Sequence, residues 1–448
     1  MKSDTCSEKL SKVQICLTAA VFLICLAGAY LIKIEYTPDE YARKLLSDWI
    51  FENGRLPLGN EQEIIIPGWG FSYGYRPYLS AILAALFEKA VSLFTSSEQM
   101  LLFGSRLCSV FSATACIYFC FKTGNEIFDR KEYSVLYGTL ICFTPQVLFL
   151  GMYQNCDSLA MAGVSALIYF LVRGWKTGWN IKTSILFGVA VSVCLLSYYS
   201  IYGWLLAGAL VFLYSCLKDK KVKPSDMMIR IGIIAATVLI LAGWFFIRNM
   251  AIHNGDIFGM ASEEVCRNEQ AALGMPLQEY DRPSEQGLGF YEAFAARDFR
   301  WLHFTLKSTI GTFGYMSIWL EPWLYKIFYV VLGSGAFLYV LFDMFVKKES
   351  IRRRLSVLMI SASAITIALS LIQSYFRDFQ AQGRYIITVL FMIAYMSGCG
   401  YEKVVNKLLS KKGNAENGKK TFNLVYAVSF IWIGLAIYVF AAYMSQMF

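Results

Sequence analysis

Long apolar runs separated by short polar segments recur along almost the whole chain. Eleven of them approach the thickness of a bilayer core, at about 13–33, 100–121, 133–151, 158–172, 183–198, 200–217, 229–248, 325–346, 354–374, 384–400 and 422–446. The pattern predicts an all-α polytopic membrane protein, a bundle of about 11 transmembrane helices. No small-residue cleavage site follows the first run, which therefore reads as a retained helix rather than a signal peptide. A further stretch, PYLSAILAALFEKAVSLF at 77–94, is interrupted by Glu88 and Lys89. Placing that pair in hydrocarbon costs several kcal/mol. The stretch reads instead as an interfacial or re-entrant helix.

Charge orients the bundle. With a cytoplasmic N-terminus the inner segments are 1–12, 122–132, 173–182, 218–228 with Arg230 at its edge, 347–354 and 401–421. They hold 25 of the 41 Lys and Arg residues and 10 of the 32 acids, about +15 against about −6 for everything else. Basic residues gathered on one side are the positive-inside signature. The net charge of +9 thus reports membrane orientation, and no nucleic-acid partner is expected. Two long segments fall outside, 34–99 carrying the helix at 77–94, and 249–324 with one or two helices on the membrane surface. Composition agrees: 57% hydrophobic and 16% charged residues with a mean hydropathy of +0.48 exclude a soluble globular fold. The twelve cysteines lie mostly in apolar runs and form neither a disulfide framework nor a CxxC pattern. Residues 1–448 read as one membrane domain in the plasma membrane, with 411–420 a solvated cytoplasmic loop. Without a P-loop or GxGxxG, no cytosolic nucleotide site is expected.

Four external positions carry candidate chemistry. Asp39 and Glu40 follow Pro38 just after the first span. There they serve either as a helix cap or, close to the membrane surface, as a general base or a ligand for a divalent cation bridging a phosphate. Asp157, in GMYQNCDSL, falls in an external turn between two short spans, as a cap or as a cavity-lining acid. Arg248 ends the seventh span, either snorkelling to headgroups or facing a lipid phosphate. Nearby His253 does not by itself argue for a metal. The string SYFRDFQAQGRYIITVLF puts Arg377, Gln382, Arg384 and Tyr385 into one turn, where paired guanidiniums beside a glycine suit a phosphate or phosphate-sugar ligand.

The order of these strings resembles the GT-C superfamily of integral membrane glycosyltransferases. The match runs from PDE at 38–40 through SRLCSVFSATACIYFCFKTGNEIFDR, NCDSLAM and FIRNMAIHNGDIFG to QGRY at 382–385. It is most similar to the protein mannosyltransferase and aminoarabinose transferase group, family 39, and covers about 35–400. The resemblance implies transfer of a sugar from a polyprenyl-phosphate donor to an acceptor on the non-cytoplasmic side. It implies Asp39 as catalytic base with Glu40 beside it, and Asp157 as a second acid assisting with metal or phosphate. Many relatives carry a His after the acidic pair, whereas here Tyr41, Ala42 and Arg43 follow, which weakens a metal role and leaves the acceptor open. The alternatives are a flippase or polymerase of lipid-linked glycans, or a non-catalytic membrane subunit of envelope polysaccharide assembly. Sugar, oligomeric state and metal are not legible.

Overall fold

The computed structural model describes residues 10–218, 223–345, 350–410 and 415–448, without the side chains of 350 and 408–424. The basic runs at 218–223, 347–354 and 411–420 lie wholly or partly outside the described residues. All eleven apolar runs are helical. In chain order the helices are α1 (Lys12–Leu31), α2 (Glu40–Asn53), α3 (Leu79–Ser92), α4 (Glu98–Ile127), α5 (Lys131–Cys142) and α6 (Pro145–Leu150). There follow α7 (Asp157–Thr177), α8 (Ile181–Ser197), α9 (Tyr202–Lys218), α10 (Pro224–Val238), α11 (Trp244–Ile252) and α12 (Met260–Ala272). The last six are α13 (Phe290–Ala295), α14 (Arg300–Ile310), α15 (Pro322–Phe342), α16 (Ser350–Phe376), α17 (Val389–Ser410) and α18 (Ala415–Ala442).

Eight of these units are long and apolar enough to cross a membrane: α1, α4, α7, α9, the joined α10–α11, α15, α16 and α18. The remaining runs depart from simple spans for local reasons. Helix α8 has 17 residues. The run 133–151 breaks after Cys142, because the residue before Pro145 is driven out of helical geometry. α17 starts at Val389 rather than 384, since Gly383–Ile386 forms a tight turn of its own. α10 and α11 run on through one π turn at Leu239–Gly243. α7 lies at the centre, with 89% of its most apolar window enclosed, whereas only 11% of the α10–α11 window is.

The chain ends where α1 ends, the Lys33 N–H donating to the Met447 carbonyl at 2.9 Å. The segments 34–99 and 249–324 dock on each other at the same end. Arg267 donates to the Trp69 carbonyl at 2.7 Å, and the Gln278 N–H to that of Gly68 at 2.7 Å. A β-carbon on Gly259 would fall 2.1 Å from the Tyr75 carbonyl, so only glycine allows that approach. The 249–324 segment contains three helices, α12 to α14, and an antiparallel hairpin, β1 (Thr312–Phe313) with β2 (Ile318–Trp319).

The helix of the 77–94 stretch has 14 residues, about 21 Å at 1.5 Å per residue, short of the ~30 Å bilayer core. It packs on α2 and α4, and its buried Glu88 accepts a hydrogen bond from Lys44 of α2 at 3.1 Å. The second Glu88 oxygen has no hydrogen-bond partner among the described residues. Burial pushes the Glu88 carboxyl up to about 7, against the pull of Lys44. A carboxyl with a raised folded-state pKa contributes stability that is full below about 4.5 and lost as pH climbs through about 7. The melting temperature of the detergent-solubilised protein should therefore fall by a few degrees between about pH 5 and about pH 8, and Glu88→Gln should flatten that fall. Parallel profiles for the two proteins would refute this account.

Candidate active site

Between α1 and α2 the chain turns its acidic pair inward. Asp39 sits at the N-cap of α2 with φ 60° and ψ 4°, a left-handed conformation that Asp tolerates better than most residues. Its side chain makes no capping hydrogen bond. It accepts one from Arg384 instead, Nη2 to Oδ2 at 2.6 Å. Burial raises the Asp39 pKa, but Arg384, then Arg43 and Arg76, outweigh it and hold the carboxyl below its ordinary range. The group is ionised at neutral pH.

Glu40, its neighbour, is fully buried and wholly committed. Arg106 on α4 grips it bidentately, Nε to Oε1 at 2.8 Å and Nη2 to Oε2 at 2.6 Å. The Gln154 N–H donates to Oε1 at 2.6 Å and the Thr37 hydroxyl to Oε2 at 2.5 Å. Four donors saturate the carboxylate. The pair expected from the sequence to act together is thus divided, Glu40 held by Arg106 and Asp39 paired with Arg384.

Asp157 is the first residue of α7, not its cap. Asn155 does the capping, accepting from the Ser158 N–H at 2.8 Å while its amide donates to the carbonyls of Leu150 and Tyr153 at 2.6 and 2.7 Å. That leaves the buried Asp157 carboxylate facing Arg384 and Arg43. Arg43 lies one turn beyond Asp39, with its guanidinium 4.4 Å from the centre of the Tyr73 ring and its buried Nε unpartnered. The cleft here, about 20 Å³ or room for about one water, is bounded by Arg43, Tyr73, Arg76, Cys156 and Tyr198.

Arg384 is aimed by its neighbour in QGRY. The Gly383 N–H donates to Ser308 Oγ of α14 at 2.7 Å, and a β-carbon there would fall 2.1 Å from the Thr309 nitrogen. Arg384 Nη2 also donates to the Tyr385 hydroxyl at 3.1 Å, and the Tyr385 ring stands 6.5 Å from that of Tyr198. Gln382 flanks the turn, half-buried, at its N-cap. Above lies the β1–β2 hairpin tip, where Tyr315 and Met316 have φ 54° and 62° and the exposed Tyr315 phenol feels the charges of Asp39, Glu40 and Arg384. Two successive non-glycine residues in this conformation store strain, a frequent property of functional loops.

The other two arginines expected in the site are elsewhere. Arg248 donates to the carbonyls of Leu56 and Pro57 at 3.2 and 2.6 Å, fastening the first long segment to α11. Arg377 is exposed and lines a separate groove beside α12. The sequence reading had missed Arg43, Tyr73, Arg76, Arg106 and Tyr198. Arg43 follows Asp39 at helical spacing, and Arg106 is an ionisable residue within an apolar helix, so both carried a signal. The others carried none, being joined only by the fold.

Both Glu40 oxygens accept hydrogen bonds from Arg106, Gln154 and Thr37, and Oδ2 of Asp39 accepts one from Arg384. Among the described residues the one group of three metal-capable side chains is Cys116, Cys120 and Cys142, with Sγ atoms within 4.8 Å of one another. They lie in the bundle core where α4 meets α5, and pack as small apolar side chains.

Removing Arg106 would leave Glu40 as an uncompensated buried charge. Arg106→Ala should destabilise the solubilised protein by about 3–5 kcal/mol, and Arg106→Lys, lacking the fork, should recover only part of it. Unchanged thermal stability in Arg106→Ala would show that the clamp is dispensable.

The architecture is similar to that of two GT-C glycosyltransferases. ArnT from Cupriavidus metallidurans bound to undecaprenyl phosphate aligns with a TM-score of 0.54 at 13% identity, over 98% of this chain and 74% of that one. Its apo form gives 0.54 at 14% identity, over 89% and 61%. The Archaeoglobus fulgidus oligosaccharyltransferase tethered with an acceptor peptide gives 0.54 at 11% identity, over 96% and 55%. The chain thus spans about three-fifths of the length of apo ArnT and about half that of the oligosaccharyltransferase, and identities this low speak to fold alone. No curated protein matches the chain by sequence. A family model described as a predicted membrane protein, DUF2142, matches residues 66–393, and the chain belongs to that family.

Proposed function

We propose that this protein is a glycosyltransferase that moves a sugar from a polyprenyl-phosphate-linked donor to an acceptor on the non-cytoplasmic face of the membrane. One observation carries the reading: an ionised carboxylate, Asp39, freed from capping and held 2.6 Å from a guanidinium beside a second arginine. A glycosyl phosphate needs both. Arg384 and Arg43 receive the donor phosphate, and in doing so Arg384 releases Asp39. The acceptor hydroxyl attacks the anomeric carbon, its proton passes to Asp39, and the bond to the phosphate oxygen breaks with its electron pair. The guanidiniums hold the charge that develops on the departing lipid phosphate. Asp157 orients the two arginines, Glu40 with Arg106 fixes the backbone from which Asp39 projects, and Gln382 and Tyr385 flank the donor. Structures of similar fold contain undecaprenyl phosphate or dolichol-phosphate, which supports this donor class. At about 20 Å³ the cleft must widen to admit a sugar. No step is routed through a metal ion.

In a purified transfer assay Asp39→Asn should lower turnover by at least about a hundredfold without loss of folded protein. Arg384→Gln removes the main charge that holds the Asp39 pKa down, so the acid limb of kcat/KM should move to higher pH. Full activity in Asp39→Asn would rule the base assignment out.

The same reading puts the N-terminus in the cytoplasm, segments 34–99 and 249–324 outside with 77–94 as an interfacial helix, and the protein in the plasma membrane. Alkaline phosphatase fused after Phe448 should then be active and a fusion after Lys223 inactive. The reverse pattern would invert the topology and remove the site from the proposed face.

A further inference from the structure

α12 presents two faces of different character. Its inner face, Glu263, Cys266, Arg267 and Gln270 at helical spacing, docks on the first long segment. Arg76 grips Glu263 bidentately at 2.6 and 2.7 Å, and Cys266 and Gln270 are buried. Its outer face, Ala261, Glu264, Val265 and Asn268, has the same spacing and lines a groove of about 530 Å³ with Asp256, Phe258, Met260 and, from the turn after α16, Arg377. That volume is within the range of small-molecule sites. The groove and the inner cleft are linked through α12, whose Glu263 holds the cleft-lining Arg76. Tyr198 borders the cleft, while Tyr199 donates to the Phe258 carbonyl at the groove.

Resting on the transferase reading above, we propose that this groove binds an uncharged, hydroxyl-rich glycan, the body of the acceptor whose end is presented to Asp39. Three planar polar side chains face the groove, the Glu264 carboxylate, the Asn268 amide and the Arg377 guanidinium. Each offers paired acceptors or donors that match adjacent sugar hydroxyls. Arg377 makes no side-chain hydrogen bond or ion pair among the described residues. Among the described residues Glu264 has only a 3.9 Å contact with Arg282. Phe258, 48% exposed, gives an aromatic surface for the apolar face of a sugar ring. Charge selects the class of ligand. The lining carries two carboxylates against one guanidinium, which repels a phosphate- or carboxylate-bearing polymer, whereas Arg43 and Arg76 suit the inner cleft to phosphate. Asp256 is already occupied in capping α12 through Ser262, at 2.8 and 3.0 Å. The hydroxyl-seeking groups are the other three.

Saturation-transfer NMR on the full chain in lipid nanodiscs tests this, with short neutral gluco-, galacto-, manno- and rhamno-oligosaccharides and a glycerol-phosphate oligomer as probes. At least one neutral oligosaccharide should bind. Phe258→Ala with Asn268→Ala, and separately Arg377→Ala, should weaken it about tenfold at unchanged thermal stability, while Arg43→Ala should leave it bound. Binding of the phosphate oligomer alone, no binding of any neutral probe, or binding lost in Arg43→Ala but kept in the groove variants would each overturn the proposal. Sugar transfer from a polyprenyl-phosphate donor without neutral-glycan binding would refute the groove alone. Groove binding in a protein that transfers nothing would refute the transferase reading alone.

Discussion

The ion pair of Glu40 with Arg106 is the constraint from which the arrangement of this protein follows. Both side chains are almost wholly buried, and an isolated charge in that position would be strongly unfavourable. The pair persists because both groups are nearly saturated. Arg106 Nη1 donates to the carbonyls of Ala29 and Ile32 at 2.9 and 2.6 Å, while Glu40 also accepts from Thr37 and from the backbone at Gln154. The end of α1, the start of α2, the body of α4 and the turn before α7 are thereby bound to one point. Asp39, immediately before Glu40, has little freedom to relax from its left-handed conformation and projects toward Arg384.

From that point the chemistry separates by charge. On the cleft side Arg384, Arg43 and Arg76 act on Asp39, and Arg384 and Arg43 on Asp157. Across α12 the balance reverses. The Arg76–Glu263 pair is the hinge between the two, since it holds α12 to the first long segment and takes one cation of the cleft into a bidentate bond.

Glycine has one decisive part. QGRY reads in sequence as a glycine next to a phosphate-binding arginine, with the glycine giving access to a ligand. In the fold Gly383 meets the backbone of α14, and the space it saves is filled by protein. The motif was legible, but its use was not, because close approach has the same sequence signature whichever partner comes near.

The chain alone determined the membrane class, the helical runs and the grouping of Asp39, Asp157 and Arg384 on one side, since hydropathy and charge act on each segment independently of its neighbours. Only tertiary structure decided which acid of the pair is free, because Arg106 is 66 positions from Glu40 and nothing local specifies that contact. It likewise turned Asp157 from a cap into a buried charge through Asn155, and assigned Arg248 and Arg377 to other places. Sidedness is a property of a segment and is written in it. The direction of a side chain is settled by whichever distant donor satisfies it.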